Sequence, residues 1–169
     1  MKSMIVLGDS PSLMSDIELM KKYFDDEHLV VCANRSCIKY PGRVDFVCSL
    51  HHWDFQWFKE WRETRQKNGW NDDFKMVTRY DTTFTDIVTG EPAIDSGFCV
   101  DNTGLYAVAF CVEQYKAEQI VLCGFEMRGR HFGFVREWNK MWTINWQNIR
   151  SRLIFANDGF RDLIKRGRA

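Results

Sequence analysis

Short apolar runs that stop at glycine or polar residues are the feature that most constrains this fold. The first run is Met4 to Leu7, which ends at the turn Gly8 to Pro11 and leads into a helical pattern from Ser12. A short buried strand that feeds a glycine turn and then a helix is typical of nucleotide-binding α/β domains. Four more runs with strand character follow it: His28 to Ala33, Val44 to Leu50, Lys75 to Tyr80 and Ile120 to Cys123.

Helical patterns separate most of these runs. We expect helices over Ser12 to Tyr23, Phe55 to Lys67 and Leu105 to Tyr115, the last of them buried because it is apolar nearly all round. Strands that alternate with helices predict an α/β fold, here a single-domain, Rossmann-like three-layer sandwich over 1–169 with a mostly parallel sheet.

Two parts of the chain are less regular. Asp81 to Asp101 is polar and rich in threonine, and we expect a loop there that includes a short hairpin. In the C-terminal part we expect a helix from Asn145 to about Ile154 and a short helix from Gly159 to Lys165.

Charge and hydropathy exclude several classes of protein. The 169 residues carry 23 Lys and Arg and 23 Asp and Glu, which argues against a dedicated nucleic-acid binder or a polybasic membrane binder. No apolar run approaches the roughly 20 residues of a membrane span. Because Asp9 ends the first apolar stretch early, we expect no secretion signal and a cytoplasmic protein.

The six cysteines form no CxxC pair, and several stand inside apolar runs. We therefore expect buried free thiols in a reducing compartment. A zinc site is the alternative, and it would need His51 or His52 to join them. These two histidines follow the third strand, where a ligand would lie, and packing beside Trp53 is the plainer interpretation.

Three segments resemble one family when they are taken in order. GDSPSL at Gly8 to Leu13 resembles the GNGPSL that opens bacterial sialyltransferases of the Campylobacter type and the related pterin-diphosphokinase-like and flagellin-modification proteins. CAN at Cys32 to Asn34 resembles their strand-end asparagine, and Asn102 to Met127 resembles their later glycine-containing helix and strand. The resemblance covers roughly the first 50 residues and this later segment. Within it, a short bacteriophage-encoded member is one expectation.

The resemblance implies a nucleotide site at one edge of the sheet. The glycine turn would lie against phosphate or ribose, Asn34 would contact the nucleotide, and Thr103 with Gly104 would pack on base or sugar. The full set of nucleotide-binding positions is Gly8, Asp9, Ser10, Ser12, Asn34, Ser49, Thr103, Gly104 and Glu126.

The chain departs from the family pattern at three of these positions. Asp9 replaces the asparagine of GNG, Ser10 replaces its second glycine, and Glu126 replaces the aspartate after the last strand. A carboxylate at position 9 repels phosphate unless a cation lies between them or the carboxylate binds ribose hydroxyls.

The family's chemistry would displace a nucleotide from an activated sugar, with a histidine as general base. The candidate here is His131, and Arg128 or Arg130 would support the leaving phosphate. This leading interpretation requires no cofactor. A metal-dependent diphosphokinase-like phosphotransferase is one alternative, with magnesium beside Asp9 and Glu126. A non-catalytic nucleotide-binding phage protein is the other.

Three tryptophans in the C-terminal part are spaced four residues apart: Trp138, Trp142 and Trp146. On a helix they would share one face, which predicts a core or a contact between copies of the chain. A platform for stacking a base or a sugar is the alternative.

Overall fold

The computed structural model describes residues 2–25, 27–51, 55–90, 102–126, 138, 149, 151–157, 159 and 161. In these residues seven strands and three α-helices follow the predicted alternation. The helices are α1 (Leu13–Leu19), α2 (Phe55–Lys67) and α3 (Thr103–Tyr115). The strands are β1 (Ser3–Leu7), β2 (Leu29–Ala33), β3 (Phe46–Cys48), β4 (Lys75–Thr78), β5 (Ile87–Val88), β6 (Gln119–Cys123) and β7 (Leu153–Phe155).

All seven strands join one parallel sheet in the order β5-β4-β3-β2-β1-β6-β7. The chain therefore builds outward from β1 to β5 and then returns to the other side of β1. This reversal between β1 and β6 is the topological switch point, where open α/β sheets leave a crevice. The predicted Rossmann-like α/β class is confirmed.

Apolar side chains cover both faces of the sheet. Along β1, Met4 and Val6 belong to the core beneath α3, whereas Ile5 and Leu7 belong to the core beneath α1 and α2. Strands buried on both faces read as continuous apolar runs, which is why the sequence shows no alternation there. The predicted three layers are present.

Two edge strands were not predicted. In the segment expected to be a loop, β5 pairs in parallel with β4 at the sheet edge. The rest of that segment, 91–101, in which the expected hairpin would continue, lies outside the described residues. The helix expected to reach Ile154 gives way to β7, which extends the sheet beyond β6. In both cases an open sheet edge supplies backbone partners that local sequence patterns do not reveal. The first helix is also shorter than expected, since a 3-10 turn at Lys21–Tyr23 follows α1.

Within the residues placed by the structure, no helix is long and apolar enough to cross a membrane.

A buried arginine joins α2 to the loop after β2. Arg65 is fully buried, and its guanidinium donates to the carbonyl oxygens of Tyr40 at 2.8 Å and Gly42 at 2.7 Å. It also donates to the carbonyl of Cys37 and to the side-chain oxygen of Asn71, the latter at 2.9 Å. A buried charge is tolerated where all its donors find acceptors, so Arg65 fixes the position of this loop.

We predict that Arg65→Ala lowers the free energy of unfolding by about 2–4 kcal/mol, since it leaves several buried carbonyl groups without a donor. Urea denaturation measures the change. Lys67→Ala, at the exposed end of the same helix, is the matched control and should change stability by less than about 0.5 kcal/mol. Equal stability of the two variants would refute the bracing role.

The cysteines that the structure describes are free and buried: Cys32, Cys37, Cys48, Cys111 and Cys123. Removal from water raises the pKa of Cys32 and of Cys123 to about 12. Burial also raises the pKa of Cys48 well above its ordinary value. The folded state therefore favours neutral thiols, as the sequence predicts for core cysteines. Cys99 lies outside the described residues.

We predict that a Cys99→Ser variant shows no fast-reacting thiol toward Ellman's reagent at pH 8 and that all five remaining thiols react once the chain is unfolded in guanidinium. The contribution of the buried thiols to stability should be complete below about pH 8 and fall as the pH rises past about 8.5, because thiols in the unfolded chain then ionise while the buried thiols do not. A native thiol that reacts at the unfolded rate would contradict this prediction.

Candidate functional site

A cleft of about 650 Å³ opens at the carboxyl ends of the central strands. Its walls come from the loops after β1, β2, β3 and β6, from the start of α3 and from one face of α2. This is the position in which open α/β sheets hold their ligands. The described residues that line it are Gly8, Asp9, Ser10, Ala33, Asn34, Arg35, Ile38, His51, Trp57, Glu60, Trp61, Thr64, Asn102, Thr103, Gly104, Gly124, Phe125 and Glu126.

Two glycines form the floor of the cleft where the loops after β1 and β6 touch. A Cβ on Gly8 would lie 2.3 Å from the carbonyl oxygen of Gly124, and a Cβ on Gly124 would lie 2.5 Å from the carbonyl oxygen of Gly8. Gly124 also has a φ of 76°, which disfavours other residues. Any side chain at either position would force the two loops apart.

Hydroxyl groups tie the same two loops together. The Ser10 hydroxyl accepts from the backbone N–H of Glu126 at 3.2 Å and lies 2.9 Å from the Ser12 hydroxyl. Ser12 donates to the buried carboxylate of Asp16 at 3.1 Å, and Asp16 also accepts from the N–H of Gly124 at 2.8 Å. Ser12 does not line the cleft, so it would act on a ligand only through its hydrogen bond with Ser10.

Two cations flank the carboxylate that departs from the family pattern. Asp9 pairs with the Lys39 ammonium, and its other oxygen lies 3.7 Å from the Arg35 guanidinium. Lys39 also donates to the Asp9 carbonyl oxygen at 3.1 Å. Arg35 and Lys39 therefore balance the charge of the Asp9 carboxylate at this corner of the cleft. A phosphate near Asp9 therefore meets the compensating cations that such an arrangement requires.

Asn34 links three segments of the chain through its amide. Its nitrogen donates to the Thr103 hydroxyl at 3.1 Å, and its oxygen accepts from the Ser49 hydroxyl at 2.9 Å. Ser49 in turn accepts from the N–H of His51 at 3.1 Å. Ser49 is fully buried and does not line the cleft, so any effect on a ligand passes through Asn34. The φ of Asn34 is 53°, in the left-handed region that asparagine tolerates best after glycine.

The N-terminus of α3 forms another wall. The Asn102 side chain caps the helix by accepting from the N–H of Leu105 at 3.0 Å. The backbone N–H groups of Thr103 and Gly104 lie in the first turn and have no carbonyl partner within the helix. Such N–H groups are suited to an anionic ligand. A Cβ on Gly104 would lie 2.5 Å from the Phe125 ring, so this helix start packs closely on the loop after β6.

The face of α2 that lines the cleft was not predicted. Trp57, Glu60, Trp61 and Thr64 are spaced three and four apart, so they lie on one side of the helix. The spacing is visible in the sequence, but aromatic residues on an amphipathic helix are ordinarily assigned to the core. His51 also lines the cleft, and its ring meets the Trp57 ring edge to face at 5.6 Å.

The candidate chemical residues Arg128, Arg130 and His131 lie outside the described residues, as do Trp142 and Trp146. Arg128 follows two positions after Glu126, which lies at the cleft. Trp138 is fully buried and packs against the Phe125 ring at 5.6 Å, which agrees with a core position for that residue.

Among the side chains that the structure describes, no group of three His, Cys, Asp or Glu residues converges as a metal site.

Fold and cleft together define a Rossmann-like α/β protein with a ligand-sized crevice at its switch point. Comparisons with protein-family models, curated proteins and solved structures give no match for this chain. The resemblance to the sialyltransferase-like family therefore rests on the three sequence segments.

We predict that Asn34→Ala lowers the free energy of unfolding by about 2–3 kcal/mol, because it breaks two hydrogen bonds and places alanine in a left-handed conformation. Asn34→Gly loses the same hydrogen bonds but suits the backbone, so it should cost about 1 kcal/mol less than alanine. Urea denaturation of both variants measures the difference. Equal losses of unfolding free energy in the two variants would show that alanine pays no penalty for the left-handed backbone conformation at position 34.

Proposed function

We propose that this protein binds a nucleotide or nucleotide-sugar in the cleft and acts as a glycosyltransferase of the sialyltransferase type. The observation that supports the proposal best is the meeting of the three segments that resemble the family. They are distant in sequence, yet Gly8 to Ser10, Asn34, and Thr103 with Gly104 line one cleft. Strand ends of any parallel sheet meet at this edge, so the convergence supports a ligand site, and the resemblance supports a nucleotide as its ligand.

The phosphate would occupy the corner between the glycine turn and the start of α3. Arg35 and Lys39 supply positive charge beside Asp9, and the first N–H groups of α3 supply donors. The Asp9 carboxylate would also accept hydrogen bonds from the ribose hydroxyls of the nucleotide. This arrangement accounts for an aspartate in a loop where the family has asparagine.

In the proposed reaction, an acceptor hydroxyl attacks the anomeric carbon of the sugar. The bond from that carbon to the nucleotide phosphate oxygen breaks, and the nucleotide leaves with the electron pair. His131 would take the hydroxyl proton, and Arg128 or Arg130 would stabilise the departing phosphate. These three residues follow the cleft residue Glu126 within five positions of the chain.

A metal-dependent phosphotransferase is the second candidate function. In this alternative the carboxylates of Asp9 and Glu126, which both line the cleft, would hold a magnesium ion together with the phosphate oxygens. Carboxylates beside a phosphate site are the ligands that Mg²⁺ uses together with the phosphate oxygens. Binding without turnover would instead indicate a non-catalytic nucleotide-binding protein.

We predict that a nucleotide raises the melting temperature of the purified chain, because a ligand of the folded state stabilises it by mass action. The screen covers nucleotides and nucleotide-sugars with and without magnesium, and calorimetry then gives the Kd. Asn34→Gly should weaken the best ligand by about tenfold or more while the fold is retained, since the amide is lost from the cleft. Asn68→Ala, an exposed asparagine outside the cleft, is the matched control.

The outcomes separate the candidates. Stabilisation by a cytidine nucleotide without metal supports glycosyl transfer, and stabilisation only by a triphosphate with magnesium supports phosphotransfer. If no nucleotide shifts the melting temperature, or if Asn34→Gly binds as tightly as the wild type, the proposed site is wrong.

A further inference from the structure

We infer that the exposed face of α2 is a nucleobase subsite, in which Trp57 stacks on the base of the bound nucleotide. The inference rests on the proposed function and adds to it a residue that the family resemblance does not supply. It assigns the base to α2 and leaves the phosphate with the loops after β1 and β2.

The first observation is the exposure of Trp57. This side chain is 41% exposed although it lines the cleft, and it is among the few large apolar residues left open to solvent in the described part of the chain. Its neighbours on α2 are buried: Phe58 is 1% exposed and Trp61 is 5% exposed. The core therefore ends at Trp61, and Trp57 extends the aromatic surface into the cleft.

The second observation is that other rings hold this indole in place. Trp61 lies one helical turn further on, with its ring centroid 6.4 Å from that of Trp57 and the two planes 32° apart. His51 meets Trp57 edge to face at 5.6 Å and 69°. An aromatic ring fixed by neighbouring rings loses little conformational freedom when a second planar group stacks on it.

The third observation concerns polarity beside the ring. Glu60 follows Trp57 by three positions on the same helical face and also lines the cleft. The Glu60 carboxylate has no hydrogen bond or ion pair with any other described residue. A free carboxylate accepts hydrogen bonds only, so it is matched to ligand donors such as an exocyclic amino group or ribose hydroxyls.

The charged and aromatic groups come from different elements. Asp9, Arg35 and Lys39 belong to the loops after β1 and β2, whereas Trp57 and Glu60 belong to α2, which follows β3. A molecule with an anionic group and a planar ring with hydrogen-bond donors satisfies both sets of residues. Nucleotides have this chemistry, and aromatic stacking accepts every base because each has a π face.

The test compares ligands with and without a base. Calorimetry is run on wild type, Trp57→Ala and Trp57→Phe with the best nucleotide of the screen and with inorganic pyrophosphate. Trp57→Ala should weaken nucleotide binding by about tenfold or more and leave pyrophosphate binding unchanged, whereas Trp57→Phe should keep most of the nucleotide affinity. Phe84→Ala removes an aromatic side chain of similar exposure, 43%, outside the cleft and should change neither ligand.

Fluorescence gives a second readout. A stacked base quenches the Trp57 indole, so nucleotide should lower the tryptophan emission of the wild type and do so less in Trp57→Phe, which still binds. Normal nucleotide affinity in Trp57→Ala, or equal losses for nucleotide and pyrophosphate, would overturn the base subsite while the proposed function stands. If the wild type binds no nucleotide, both the subsite and the proposed function fail.

Discussion

The contact between Gly8 and Gly124 is the constraint on which the site depends. Two parallel strands, β1 and β6, end side by side, and their following loops must diverge to leave a crevice while their backbones stay packed. With no Cβ on either residue, the loops touch at their base and separate above it. Asp16 and Ser10 then fasten the loops by hydrogen bonds to the Gly124 and Glu126 backbones. The glycine contact and these hydrogen bonds together hold the loops that carry the cleft residues after β1 and β6.

The cleft wall formed by the loop after β2 is fixed by a buried side chain of α2. Arg65 fixes the loop after β2 through the carbonyl groups of Cys37, Tyr40 and Gly42, and the same loop carries Arg35 and Lys39 toward Asp9. Ordering the exposed side chains of Arg35 and Lys39 around a ligand would cost conformational entropy. Because Arg65 already orders the backbone of their loop, no further backbone entropy is lost. One helix thus serves two purposes: Arg65 braces the loop and Trp57 faces the cleft.

The sequence predicts five of the seven strands and the cleft positions that lie at strand ends and at the start of α3. A continuous apolar run such as Met4 to Leu7 indicates a strand buried on both faces of a sheet. The central strands and the α/β class therefore follow from the alternation of such runs with helical patterns. Edge strands depend on partners, and a two-residue strand such as β5 leaves no periodic signal. The cleft residues at strand ends were predictable because parallel strands deliver their carboxyl ends to one edge. Trp57 and Glu60 were not, since the direction in which a helix face points depends on the packing of the whole helix.

In the proposed function, the described cleft binds the nucleotide and the general base comes from a later segment of the chain. The residues that form the cleft come from strand-end loops, α2 and the start of α3, which are tied together by buried hydrogen bonds and ring contacts. The candidate base and its arginines come from 128–131, which lies outside the described residues. In the proposed reaction His131 takes a proton from the acceptor, whereas Arg128 or Arg130 contacts the nucleotide phosphate. Loss of the base would therefore abolish turnover and leave nucleotide affinity unchanged, but loss of an arginine that contacts the phosphate would lower both quantities. Affinity and turnover measured on the same chain thus separate the proton-transfer group from the phosphate-binding groups.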